Sequence, residues 1–392
     1  MFESLEPKPA DAILKLIAEH QNDARAEKVD LGVGVYRDAE GRTPILRTVK
    51  KAEHWLVGSQ KSKAYLGSRG DSVFCDAIET LVFGVDDNDR VSTVQTPGGS
   101  GALRVAAELI LRADPGATMW VSDPTWNNHV PLLGAAGVTL RAYPYYDVAS
   151  NSICFAQMID ALQDSSAGEL ILLHGCCHNP TGMDLSREQW QQLADLIVER
   201  ELIPFIDLAY QGFADGLDED AYGARLLFDR VPEMLVTQSC SKNFGLYRDR
   251  VGALSFVAKD AATAGVVDSQ VLSVVRTMYS LPPDHGAAIV SRILHDPDLH
   301  NEWLQELADM RSRLKSMRSL LVDQLGKAAP GHDFSHIERT SGMFCYLGVS
   351  PQQVARLKKD HGVYLVDSGR INVCGITEDN VSYLADSIST VL

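Results

Sequence analysis

The chain lacks any apolar run near the ~18 residues that a membrane-crossing helix needs. Its first residues, Met1-Phe-Glu-Ser-Leu-Glu6, have neither the basic region nor the apolar stretch of a secretory leader, so the expectation is a cytoplasmic protein with no membrane partner. Basic residues are few. Against 52 Asp and Glu stand 36 Lys and Arg, leaving a formal net charge of −16 with no basic cluster, so nucleic acid is also a poor partner. The 7 cysteines are an odd number and none forms a C-x-x-C pair. That pattern excludes a zinc ribbon or disulfide framework and favours buried free thiols. No repeat or low-complexity tract is found. With 45% hydrophobic and 22% charged residues over 392 positions, the chain reads as globular and as roughly two domains.

What is present is an alternation. Between about Val91 and Val257, apolar runs at Thr118–Ser122, Val138–Tyr143, Leu170–Gly175, Leu202–Asp207, Leu235–Ser239 and Ala253–Val257 read as buried strands. Gly101–Arg112 and Ser186–Arg200 have helical apolar spacing, and Ser186 with Gln189 makes a capping-box pattern. Strands that are apolar throughout and alternate with helices predict an α/β fold, its mostly parallel sheet covered on both faces. After about residue 300, one long helix is predicted over Glu302–Leu325, ended by Gly326 and Pro330. Strand candidates at Met343–Leu347 and Ile371–Val373 follow, suggesting a second, smaller α+β domain that Val29–Tyr36 joins.

Ligands of open α/β sheets sit at the carboxyl ends of the strands, and there this chain is polar. Thr96-Pro-Gly-Gly-Ser-Gly101 precedes a helix and reads either as an anion cradle or as a plain turn. No Lys-Ser or Lys-Thr follows, so it is not a P-loop. His178-Asn-Pro-Thr-Gly182 reads as a strand-to-helix turn. His174 and His178 raise a metal site, but on a strand-to-turn path they do not share a face, so no metal is expected. Asp207 closes an apolar strand, which is costly unless a cation meets it; a helix N-cap is the other reading. Lys242, between a buried strand and a Gly-containing loop, is placed for a depressed pKa and Schiff-base chemistry. Ser239-x-x-Lys242 also fits penicillin-recognising serine enzymes, but their K-T-G element is missing.

Together, Asn179-Pro-Thr-Gly182, Asp207-x-x-Tyr210 and Ser239-x-Ser-Lys242-x-x-Gly245-x-x-x-x-Arg250 resemble the class I aminotransferases that depend on pyridoxal phosphate. Within that family the resemblance is to the aspartate and aromatic subgroup. It continues through Gly32-Val-Gly34-Val-Tyr36, Tyr65-Leu-Gly67, Asp123-Pro-Thr-Trp126-Asn-Asn-His129, Arg276-x-x-Tyr279-Ser-x-Pro-Pro283 and Ser368-Gly-Arg370-Ile-Asn372. The resemblance implies the PLP-transferase fold of type I and a homodimer with shared active sites. It implies an N-terminal arm at 1–10, a small domain at 11–43 and 311–392, and a large cofactor domain at 44–310. It gives Lys242 the covalent link to the cofactor and the proton transfer, and Asp207 the pyridine nitrogen with His129 behind it. Tyr210 and Asn179 take the ring oxygen, and Trp126 packs on the ring and substrate. Gly98, Gly99, Ser100, Ser239, Ser241 and Arg250 hold the phosphate, joined by Tyr65 from the other chain. Arg370, helped by Asn179 and the Gly34 backbone, grips the α-carboxylate. Arg276, again from the other chain, meets a distal carboxylate.

Family members that prefer aspartate usually carry asparagines flanking that distal arginine, where Ala64 and Leu281 stand here. An apolar rim discriminates by only ~1–3 kcal/mol, so breadth is expected rather than exclusivity. The expectation is an aromatic aminotransferase that passes amino groups of aromatic and dicarboxylic L-amino acids to 2-oxoglutarate. Aspartate aminotransferase proper is the other reading. A non-catalytic sensor of this fold, as in some transcription regulators, carries a DNA-binding segment ahead of the aminotransferase-like part. Here the match begins by Val29, and Lys242, Asp207, Tyr210 and Arg370 are all retained, so turnover is expected.

Overall fold

The computed structural model describes residues 1–7, 12–85 and 88–392. The expected boundary between arm and small domain at residues 10 and 11 lies outside the described residues. The largest sheet has seven strands, in the order Val91–Pro97, Val251–Val257, Met234–Ser239, Ile203–Leu208, Leu170–His174, Thr118–Asp123 and Thr139–Pro144. Neighbours run parallel except Val251–Val257, which is antiparallel on both sides.

Successive strand residues feed two cores, because side chains alternate across a pleated sheet. Leu170, Leu172, Phe205 and Leu235 join one apolar cluster, which includes Leu103, Ala106 and Val274 of helices Gly98–Ala113 and Ala261–Met278. Ile171, Leu173, Ile206 and Val236 join the other, with Phe74, Trp190 and Ile289 of helices Ser72–Phe83, Arg187–Glu199 and Asp284–His295. Both faces are thus covered, as the continuous apolar runs require. The capping box is formed: Ser186 Oγ accepts from the Gln189 N–H at 3.2 Å and Gln189 Oε1 accepts from the Ser186 N–H at 2.9 Å.

Two expectations need correction. The glycines at 98–101 are not a loop ahead of the helix but its first turn, since the helix spans Gly98–Ala113. The long helix starts earlier and ends later than predicted, spanning Pro297–Ala328 and passing through Gly326. Asp296 caps its start by accepting from the Asp298 and Leu299 N–H groups, and Pro297 fills a first-turn position that needs no donor. Beyond it, Phe344–Tyr346 pairs antiparallel with Arg370–Asn372. Val29–Asp30 pairs parallel with Val363–Tyr364, and the Asn372 N–H donates to Leu31 O at 2.7 Å, so the two ends of the chain meet. All seven cysteines are free, and all but Cys154 are buried. Among the described residues, no helix is long and apolar enough to cross a membrane.

Candidate active site

The sheet delivers its polar residues to one edge. Five segments arrive there because parallel strands end together: those after Pro97, Asp123, His174, Leu208 and Ser239. Arg250 arrives because its strand is antiparallel and therefore begins where the others end, Val251 lying opposite Pro97 and Gly252 opposite Ser239. Between them lies a cavity of about 220 Å³. Its lining includes Gly34, Gly99, Ser100, Trp126, Asn179, Asp207, Tyr210, Ser239, Ser241, Lys242 and Arg250. Gly98 and His129 stand directly behind members of that lining. Arg370 lines a neighbouring cleft of about 560 Å³ that shares Asn179. Tyr65, 91% exposed, and Arg276, also exposed, lie outside both.

Asp207 is 6% exposed, and both of its oxygens are held. The Thr237 hydroxyl donates to Oδ1 at 3.0 Å from the facing strand position, and His129 Nε2 donates to Oδ2 at 3.1 Å. With Nε2 donating, His129 Nδ1 is left to accept from Thr125 Oγ1 at 2.8 Å. Burial alone pushes the Asp207 carboxyl up, but the His129 and Thr237 hydrogen bonds outweigh it and hold it below the usual range. Asp207 is therefore a buried anion, and it caps no helix.

The amine of Lys242 lies 4.7 Å from the centre of the Tyr210 ring. Burial lowers its pKa from 10.5 to about 8, and the charge of Arg250 adds to that, against the pull of Asp207. Burial likewise pushes the Tyr210 phenol upward. Asn179 Nδ2 donates to that phenol oxygen at 3.5 Å.

Two arginines at this edge of the sheet, Arg250 and Arg370, have no carboxylate partner among the described residues. Arg250 adopts φ +55° and donates from Nη1 to Ser241 Oγ at 3.2 Å and to Tyr247 O at 3.1 Å. A Cβ on Gly98 would stand 2.4 Å from Arg250 Nη2, so only glycine lets backbone and guanidinium share this corner. Arg370 is 6% exposed, donates from Nη2 to Gly32 O at 2.9 Å, and packs 4.3 Å above the Phe344 ring. Its Nε is buried without a partner, and burial lowers its pKa. A buried cation so placed is costly until an anion meets it.

Contrary to the expectation from their spacing, His174 and His178 come together, with ring centres 4.2 Å apart, but both His178 nitrogens are engaged, by Ser122 Oγ at 3.0 Å and Thr181 Oγ1 at 2.9 Å. His174 comes instead within ligand reach of His129 and Asp207, but both oxygens of Asp207 are already taken. Sequence reasoning missed Thr237, Tyr247 and Phe344. Thr237 carries a readable signal, since it sits two residues before Ser239 on the same strand face; Phe344 carries none, because it comes from a separate sheet.

The exposed segments that miss the cavity are joined to each other. The Ser68 hydroxyl donates to Ser280 O at 3.0 Å, and Gln95 bridges Asp71 N (2.9 Å) and Pro283 O (2.6 Å). Tyr65 and Arg276 therefore ride on one unit, with Ala64 exposed and Leu281 partly buried beside them.

A family model described as aminotransferase class I and II matches residues 26–388. The aspartate aminotransferase of Haemophilus influenzae is 46% identical over 396 residues, covering all of both chains. The aromatic-amino-acid aminotransferase of Pseudomonas aeruginosa is 47% identical over 394 residues, covering all of this chain and 98% of its own. Among solved structures, an aromatic-amino-acid aminotransferase from Burkholderia pseudomallei covalently bound to pyridoxal phosphate superposes with TM-score 0.98 at 41% identity, covering 100% of this chain and 99% of its own.

Proposed function

The chain belongs to the class I and II aminotransferase family, and from that premise we propose that it is an aromatic aminotransferase of broad specificity. It passes amino groups from aromatic and dicarboxylic L-amino acids to 2-oxoglutarate, in two half-reactions at one site. The observation that carries the catalytic reading is one cavity holding a lysine with a depressed pKa, a buried carboxylate and Arg250, beside a cleft that holds Arg370, neither arginine having a carboxylate partner.

The residues fit pyridoxal phosphate. Arg250, the first-turn N–H groups of Gly99 and Ser100, and the hydroxyls of Ser239 and Ser241 form a cradle for a dianion, closed by the glycine at 98. Asp207, kept ionised, would pair with a protonated pyridine nitrogen, and the Tyr210–Asn179 pair would meet the ring oxygen. When bound, the cofactor supplies a ring that takes up negative charge from the substrate's Cα. Lys242 would hold the cofactor covalently, and its amine would move the proton at the substrate's Cα. A pKa of about 8 makes that amine a usable base near neutrality. Arg370 would clamp the α-carboxylate, and Trp126 would pack against ring and substrate.

The same reading makes the protein a homodimer with shared sites, in which Tyr65 and Arg276 serve the other chain's cavity. It takes 11–43 with 311–392 as a small domain on a large one at 44–310, preceded by an arm at 1–10, and it places the enzyme in the cytoplasm. Aromatic breadth is supported by Ala64 and Leu281, where amides would tether Arg276. Aspartate aminotransferase proper is supported by the Haemophilus relative, whose identity to this chain is nearly that of the aromatic one. Comparing kcat/KM for phenylalanine and aspartate with 2-oxoglutarate as acceptor separates the two. The proposal expects values within roughly two orders of magnitude; phenylalanine a thousandfold or more below aspartate selects the alternative.

A further inference from the structure

We infer that Asp184 is a positioning residue for the proposed reaction. By holding the two backbone N–H groups just ahead of Asn179, it fixes the amide that meets the cofactor's ring oxygen and the substrate's α-carboxylate. The inference rests on the proposed role of Asn179.

Strand Leu170–His174 leads into a strained turn. Cys177, three residues beyond the strand, adopts φ +50°, and Asn179 follows two residues later. A left-handed conformation suits glycine and, less well, asparagine or aspartate; a cysteine has neither the freedom nor a side-chain amide to sustain it. Strain of this kind persists where the surroundings hold it, and it gathers at functional sites.

What holds it here is one carboxylate. The Cys177 N–H donates to Asp184 Oδ2 and the His178 N–H to Oδ1, each at 2.8 Å. Successive N–H groups of a turn converge in this way on a single anion. Neither has another acceptor among the described residues, and no lysine or arginine there bonds to Asp184. Burial pushes the Asp184 carboxyl up to about 6 while the two N–H bonds pull it down. Near neutrality it is therefore the anion, the form that accepts from both.

The rest of the turn is held without Asp184. The His178 ring stacks on Tyr145 with centres 4.0 Å apart, between its bonds to Ser122 and Thr181. The Gly182 N–H donates to His178 O at 2.7 Å, and the Ser341 N–H to Gly182 O at 2.6 Å. Only the approach to Asn179 depends on the carboxylate. Asn179 itself is 5% exposed and lines both the cavity and the cleft of Arg370.

The test is an absorbance titration of the cofactor-loaded enzyme, which reads the pH at which the nitrogen linking Lys242 to the cofactor loses its proton. An amide held on the ring oxygen stabilises negative charge there and lowers that pH. Asp184→Asn has the same size and keeps one acceptor; it is expected to raise the titration by roughly half a pH unit. Asp184→Ala should raise it by roughly one, as for partial loss of a hydrogen bond to a charged atom. Loss of the aspartate's charge alone acts the other way, since removing an anion disfavours a nearby cation, so the sign separates positioning from field. On an Asn179→Ala background, Asp184→Asn adds no further rise. By calorimetry, affinity for 3-phenylpropanoate, a carboxylate without an amine, falls roughly fivefold in both Asp184 variants. A titration left in place or lowered overturns the inference, whatever the melting temperature does, and so does undiminished affinity for 3-phenylpropanoate. If Asn179→Ala itself leaves the titration in place, the role of Asn179 falls and takes Asp184 with it. If Asn179→Ala raises it while the Asp184 variants do not, only the Asp184 inference falls.

Discussion

Lys242 is an expensive residue for the fold. Its pKa of about 8, against 10.5 for an ordinary lysine, means that burial opposes the charged form in the folded protein. Between pH 8 and 10.5 the unfolded chain binds the extra proton, so stability rises with pH across that window, and below pH 8 the full penalty is present. Lys242→Met should therefore stabilise the cofactor-free protein by about 2–3 kcal/mol at pH 7, with the gap shrinking toward pH 10, while transamination is lost. Melting temperatures of both proteins at pH 7, 8, 9 and 10 check this; a variant no more stable than the parent at pH 7 refutes the assigned burial cost. At this scale much of the site was legible. Lys242, Asp207 and the serines around Lys242 announce themselves because polar residues at the ends of apolar runs need a reason. Thr237 and Phe344 did not, because what makes them neighbours is strand register and a separate sheet, neither of which local spacing records.

Secondary-structure elements were readable where their determinants are local. Ser186 and Gln189 cap their helix from three residues apart, and the six apolar runs in the middle of the chain became six strands of the main sheet. The direction of Val251–Val257 was not readable, because an antiparallel strand between buried neighbours has the same apolar composition as a parallel one. Helix Arg47–Ser59 shows the same limit. Leu46 offers no side-chain cap, and the free N–H groups of Arg47 and Thr48 are taken by Glu306 of the long helix, at 2.7 and 3.2 Å, with the Thr48 hydroxyl adding a third bond at 2.7 Å. This cap comes from 258 residues away. Its carboxylate also faces a helix N-terminus, which favours the negative charge. Glu306→Ala should cost about 1–3 kcal/mol by chemical denaturation, with Glu306→Gln losing less because one oxygen still accepts. Neither should shift the ratio of phenylalanine to aspartate turnover. An Ala variant as stable as the parent would show that the helix end is satisfied by water alone.

For the molecule as a whole, a net charge of −16 gives no long-range attraction to a phosphate or to carboxylate substrates. Binding has to come from local cations without carboxylate partners, and the three assigned to ligands divide by place. Arg250 and Arg370 face the cavity and cleft of their own chain, whereas Arg276 faces outward on a unit with Tyr65. The proposed sharing of sites between two chains accounts for that division, and hybrid dimers test it. Lys242→Ala and Arg276→Ala chains, each poor with aspartate, are mixed, unfolded and refolded together. In a hybrid, the chain that keeps Lys242 receives its distal arginine from the other, so one of its two sites is whole. Random pairing then returns about a quarter of wild-type aspartate activity. A mixture no better than the mean of its two parents would mean that Arg276 serves its own chain, and sharing of the active site would have to be abandoned.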